Sequence, residues 1–155
     1  MDILTPKGQE SLAHERRAKE LLEARYGVQY VETPKDKPAV VDALLIRSGA
    51  IVGLVETKCR DMTLWQLQNR FNSEWLVTFN KINKGRLMAR DLGVSFYGVL
   101  YLIPDDRILT VRLSTPSGDW ATEVRRERTE TQATINGGTA RRMNAFVNMK
   151  LAKTE

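Results

Sequence analysis

Residues 40–60 read VVDALLIRSGAIVGLVETKCR. Two apolar runs flank Ser48-Gly49, so the stretch predicts a hairpin of two strands. Asp42 interrupts the first run, and Glu56 and Lys58 interrupt the second. A charge in a buried strand is costly unless it is paired or bound to a metal. Two carboxylates with a lysine beside them point to a site for a hard divalent cation. Side chains alternate along a strand, so Glu56 and Lys58 share one face and Thr57 takes the other. Directly opposed residues of an antiparallel pair also share a face. A three-residue loop over Ser48, Gly49 and Ala50 sets Asp42 opposite Glu56. A two-residue loop sets it opposite Val55, on the wrong face. The cation site therefore requires an odd loop or a bulge, and Gly49 can supply the positive φ of a three-residue hairpin.

Working outward, Thr5-Pro6 opens a helix that Gly27 stops. Leu12, Ala18, Leu21, Leu22 and Tyr26 form its apolar stripe, and Glu15 falls inside that stripe. His14 lies off the stripe and reads as an exposed helix histidine. Residues 28–32 form a short strand. TPKDKP (33–38) is a polar loop whose Lys35 and Lys37 stand near the mouth of the site, holding phosphates or simply solvated. Beyond the hairpin, residues 63–71 read as a short helix capped by Thr63 or Asp61, with Trp65 and Phe71 as core residues. WLVTF (75–79) reads as a strand. Residues 80–92 follow as a helix closed by Gly93, with Lys81 on its buried side, aimed at the site or snorkelling to water. Residues 94–103 and 108–113 pair antiparallel around a turn, where Asp105 and Asp106 are ordinary turn residues.

After Ser114 the composition shifts to Ser, Thr, Pro and Gly. Residues 116–155 carry seven Lys+Arg and five Asp+Glu, so the basic excess is not confined there. Arg125, Arg126, Arg128, Arg141 and Arg142 surround Asn136-Gly137-Gly138, a hairpin-turn sequence. Arginines beside such a turn suit phosphate contacts; a solubilising appendage is the other reading.

The chain has 155 residues, 42% hydrophobic, with a formal net charge of +5. That length is one domain, or one domain with an appendage, and buries a real core. The basic balance favours a polyanionic partner. No run reaches a membrane-spanning length, and the polar start is no signal peptide. One cysteine, Cys59, excludes a disulfide framework and fits a reducing, cytoplasmic compartment. One Cys and one His are too few for a structural zinc.

Asp42, thirteen intervening residues and then Glu56-Thr57-Lys58 resemble the D…(D/E)xK signature of the PD-(D/E)xK nuclease superfamily. Position 41 is Val where the family name has Pro. The spacing from Glu15 to Gly27 resembles resolvase-type members. The resemblance covers residues 5–113. It implies an α/β fold: a restriction-endonuclease-like αβββαβ core, with a mixed central sheet flanked by helices. That places a nuclease-like domain at 1–115 and a basic C-terminal extension at 116–155.

The implied activity is a metal-dependent deoxyribonuclease hydrolysing DNA phosphodiesters with Mg²⁺ or Mn²⁺. Asp42, Glu56 and the Thr57 carbonyl would hold the cation. Lys58 would orient the attacking water, and Glu15, with Glu10 second, would complete the site. Gln66 is the auxiliary residue that several branches place on the helix after ExK, and Lys81 is a second. Phage-type and Holliday-junction-resolvase-type members add two expectations, a branched-DNA substrate and a homodimer. The alternatives are a restriction-type or exonuclease member, an inactive nucleic-acid-binding protein on the same fold, and a protein-interaction module.

Overall fold

A computed structural model describes residues 5–34, 36–133 and 139–154, with backbone alone at 130–133 and 139–141. The order is α1 (Pro6–Tyr26), β1 (Gln29–Glu32), β2 (Ala43–Arg47), β3 (Ala50–Arg60), α2 (Leu64–Arg70), β4 (Glu74–Thr78) and α3 (Phe79–Leu92). Then come β5 (Ser95–Leu102), β6 (Arg107–Ser114), β7 (Val124–Ala133) and β8 (Thr139–Asn148). A five-stranded sheet runs β1-β2-β3-β5-β6, and a three-stranded sheet runs β4-β8-β7. Only the β3–β5 pair is parallel. Parallel neighbours need a long crossover, which α2, β4 and α3 provide. The fold is the expected mixed α/β, restriction-endonuclease-like one. Its αβββαβ core is α1, β1, β2, β3, α3 and β5.

The two faces of the large sheet bury different layers. Val55 and Val99 pack with Ala18 and Leu22 of α1. Leu54, Phe96 and Leu100 pack with Ile82 and Ala89 of α3 and with Trp75, Ala145 and Val147 of the small sheet. Strand alternation puts Glu56 and Lys58 on this second face, with Leu54.

Local signals explain the helix ends. Thr5 Oγ1 accepts from Gly8 N, Pro6 opens α1, and Gly27 closes it at φ 62°. The α2 helix starts with a capping box. Gln66 N donates to Thr63 Oγ1, and Thr63 N donates to Gln66 Oε1. One inward residue, Leu67, is all that α2 fully buries. Trp65 and Phe71, expected in the core, are 61% and 49% exposed. A seven-residue helix offers one narrow inward face, and Leu67 takes it.

Packing crosses the boundary expected at 115/116. Strand β8 pairs with β4, and Ala145, Val147 and Met149 join the core of the large sheet. Strand β4 was expected within the αβββαβ core but belongs to the small sheet. It turns Trp75 and Val77 inward and leaves Leu76 exposed. The pairing of β7 with β8 fits the expected hairpin; its turn, Asn136-Gly138, lies outside the described residues. Past the last β4 pair, Thr78 with Asn144, β7 and β8 continue alone as a two-stranded arm.

Candidate active site

The hairpin between β2 and β3 meets the register condition by a bulge rather than by an odd loop. Arg47 pairs with Ala50, so the loop is Ser48-Gly49 alone, with φ of 51° and 77°. Positive φ at both positions is what a two-residue hairpin turn requires. The expected three-residue loop is therefore absent. The odd count comes from β3 instead: Ile46 pairs with Ile51, but Leu45 pairs with Gly53, leaving Val52 as a bulge. From there Leu44 pairs with Leu54 and Ala43 with Val55, so Asp42 comes opposite Glu56. Without Val52 the whole set would slip by one residue and turn Asp42 to the other face.

Asp42 sits just past the end of β2, where the ladder frays. Its carbonyl accepts from Thr33 N at 3.0 Å, and its Oδ2 accepts from Thr57 N at 2.7 Å. The carboxylate thus takes the ladder place of a main-chain carbonyl and is locked beside Glu56. The Thr57 hydroxyl points to the α1 side and bonds the Tyr30 hydroxyl at 3.0 Å.

Glu56 is 0% exposed, and neither carboxylate oxygen has a hydrogen-bond partner among the described residues. Two ammonium groups face it at ion-pair distance: Lys58 Nζ at 3.6 Å from Oε1 and Lys81 Nζ at 3.8 Å from Oε2. Burial, and then the neighbouring Asp42 charge, push Glu56 up from 4.5 to about 7, while the two lysines pull it down. Trp75 packs on the strand next to Glu56. It lies against Gly98, the residue paired with Glu56 across the parallel ladder. A Cβ at Gly98 would stand 2.6 Å from the indole.

Lys81 also donates to the Ala39 carbonyl at 2.5 Å, tying the loop before β2 to the start of α3. Lys37 is exposed in that loop, and Lys35 lies outside the described residues. The structure therefore brings together Asp42, Glu56, Thr57, Lys58 and Lys81.

Glu15 belongs to no cluster of three ligating side chains among the described residues. Its charge, like that of Asp42, bears on Tyr30 and Cys59. No three His, Cys, Asp or Glu side chains among the described residues converge on a cation position. Glu10 faces solvent beside His14, 3.7 Å away. Gln66 is engaged in its capping box. Asp105 Oδ2 accepts from Leu64 N, and Asp106 binds Arg17, so both serve the fold.

The arginine group also divides. Arg125 is held by Glu74 and Glu127 and stacks on Phe146. Arg126 lies 4.7 Å over the Phe79 ring. Arg128 and Arg142 are exposed on the arm, and the Arg141 side chain lies outside the described residues. A separate cavity of about 520 Å³ opens on the α1 side, among Leu22, Tyr26, Leu45 and Tyr97, away from Glu56.

The donor set is all oxygen: Asp42, both Glu56 oxygens and the Thr57 carbonyl. Hard cations such as Mg²⁺ and Mn²⁺ take such ligands, and Mg²⁺ is often held by one or two carboxylates plus water and phosphate. A buried carboxylate with two orphan oxygens fits that group, because a cation would satisfy atoms the fold leaves unpaired.

A family model described as "Phage putative PDDEXK endonuclease" matches residues 7–153. No curated protein matches the chain. No helix among the described residues is long and apolar enough to cross a membrane.

Proposed function

The chain belongs to the phage PDDEXK endonuclease family, and on that premise we propose that it hydrolyses DNA phosphodiesters with a divalent cation, Mg²⁺ or Mn²⁺. Nucleases of this superfamily generally use divalent metals. The observation that carries the reading is the buried Glu56 beside Asp42, its oxygens without a hydrogen bond among the described residues and faced by two lysines.

Asp42, Glu56 and the Thr57 carbonyl are the proposed ligands. No third carboxylate converges with them among the described residues, so the proposed first ligands are two carboxylates, with Glu15 of α1 proposed to act from further out. When bound, the cation supplies Lewis-acid polarisation of a phosphate oxygen and a water of lowered pKa. Lys58 orients that water and offsets phosphate charge. Lys81 holds Glu56 and the 36–41 loop in place. The finer reading is a homodimer that cuts branched DNA, one strand per subunit. It is supported by the resemblance to resolvase-type members alone.

The test is cleavage of supercoiled plasmid and of a four-way junction with Mg²⁺, Mn²⁺ or excess chelator. Activity is expected with either metal and none with chelator. Full activity in chelator would sink the two-carboxylate site.

Arg128 and Arg142 on the arm, with Lys37, are the proposed phosphate-binding residues. Replacing both arginines with Ala should flatten the salt dependence of duplex binding by about 0.9 in log–log slope for each phosphate no longer neutralised. Arg125→Ala is the control, since its charge is already met by Glu74 and Glu127. An unchanged slope in the double variant would remove the arm from DNA recognition. Cutting the chain at Ser117 cannot serve here, because it deletes Ala145 and Val147 from the core.

A further inference from the structure

Trp65 is the most exposed aromatic side chain among the described residues, at 61%, in a chain whose Trp75 is fully buried. It stands on α2, which continues directly from the strand carrying Glu56 and Lys58. It lies seven positions past Lys58, so chain length keeps the two Cα atoms within about 25 Å. The helix is anchored: Thr63 and Gln66 cap it, and Asp105 Oδ2 accepts from Leu64 N at 2.7 Å. Trp65 thus projects from a fixed base.

Its neighbours on α2 are mostly polar or cationic, with Phe71 exposed just past the helix end. The α2 sequence LWQLQNR holds no carboxylate, and Gln68, Asn69 and Arg70 are exposed beside the indole. The Arg70 guanidinium lies 5.7 Å from the Trp65 ring centroid. An aromatic face with a cation at its side matches a base lying on a ring with its phosphate on an arginine.

We propose that Trp65, with Arg70, stacks on an unpaired base of the bound DNA, within about 25 Å of the site along the chain. The proposal rests on the nuclease reading and narrows its substrate to DNA with a single-stranded or unstacked nucleotide within that reach. Fully paired, blunt duplex leaves no base free for the ring.

The test uses the full chain in chelator, so that binding is read without cleavage. Tryptophan fluorescence is followed while a single-stranded oligonucleotide, a duplex with a single-stranded overhang and a blunt duplex are added. Quenching is expected with the first two and little with the third. Trp65→Ala should weaken binding to the first two about 10-fold or more, within the range for one base–aromatic stack. Trp65→Phe should restore most of that affinity, and neither change should lower the melting temperature of so exposed a position. Equal binding of all three DNAs by Trp65→Ala and the unaltered protein overturns the proposal. So does a shift from dimer to monomer in Trp65→Ala with DNA affinity unchanged, which would make the residue a subunit contact. A protein that quenches with single strands but never cleaves with any metal keeps this inference and defeats the nuclease reading. Cleavage without quenching does the reverse.

Discussion

Lys58→Ala is expected to retain DNA binding and to cleave about 10²- to 10⁴-fold more slowly, the range that a positioned proton-transfer group supplies. The substitution spares Asp42 and Glu56, so both proposed ligands remain. It also removes a cation 3.6 Å from Glu56 Oε1, which makes that carboxylate harder to ionise. The measurement is therefore single-turnover cleavage at saturating metal, with binding followed separately in Ca²⁺. Lys81→Ala is the necessary companion, because Lys81 stands at a similar distance from the other oxygen. The two lysines differ in tether: Lys81 also donates to the Ala39 carbonyl. Among the described residues Lys58 has no such second bond and can turn toward a water. Cleavage at the unaltered rate in Lys58→Ala, with loss in Lys81→Ala, would move the role to α3. Unaltered rates in both would leave the lysines as partners of Glu56 only.

Glu56→Gln should abolish metal-dependent cleavage and, in the same protein, raise the stability of the metal-free fold at pH 8 by about 1–3 kcal/mol. The two effects share one cause. Burial and Asp42 raise the folded pKa of Glu56 from 4.5 to about 7. A group whose folded pKa lies above its unfolded value contributes fully below the unfolded value and loses that contribution as pH rises through the folded one. Metal-free protein therefore carries an unfavourable ionised Glu56 above pH 7 and a neutral one below about 4.5. Glutamine is neutral throughout, so its advantage should appear at pH 8 and vanish near pH 4.5. Denaturant midpoints in chelator at the two pH values measure it. Added Mg²⁺ should stabilise the unaltered protein and leave Glu56→Gln unmoved. A loss of stability in Glu56→Gln at pH 8 would mean that the two lysines already satisfy the carboxylate, and the site would lose its claim to a cation.

Much of the molecule is readable from residue order because the governing forces are local. Thr5-Pro6 and Gly27 bound α1 through a side-chain cap and a left-handed φ, both set by residues at that point in the chain. Apolar alternation marks the strands, and charges inside apolar runs mark Asp42, Glu56 and Lys58. The facing of Asp42 and Glu56 was legible only as a condition. One-residue bulges leave no mark in a run such as AIVGLV, so the extra residue, Val52, emerged only when β2 and β3 paired.

Other decisions were tertiary for the same reason: periodicity says which face is apolar, and partners decide where that face goes. The β4 strand reads as a good strand for any sheet, and in the fold it pairs with β8. Residues 139–148 read as a polar tail with scattered apolar positions until Ala145 and Val147 meet Trp75. Trp65 reads as core by type, yet the helix that carries it is too short to bury more than Leu67. The carboxylate pair is a property of the sequence. Its burial, its second lysine and its wall of Trp75 on Gly98 exist only once β3, β5, α3 and the small sheet have packed together.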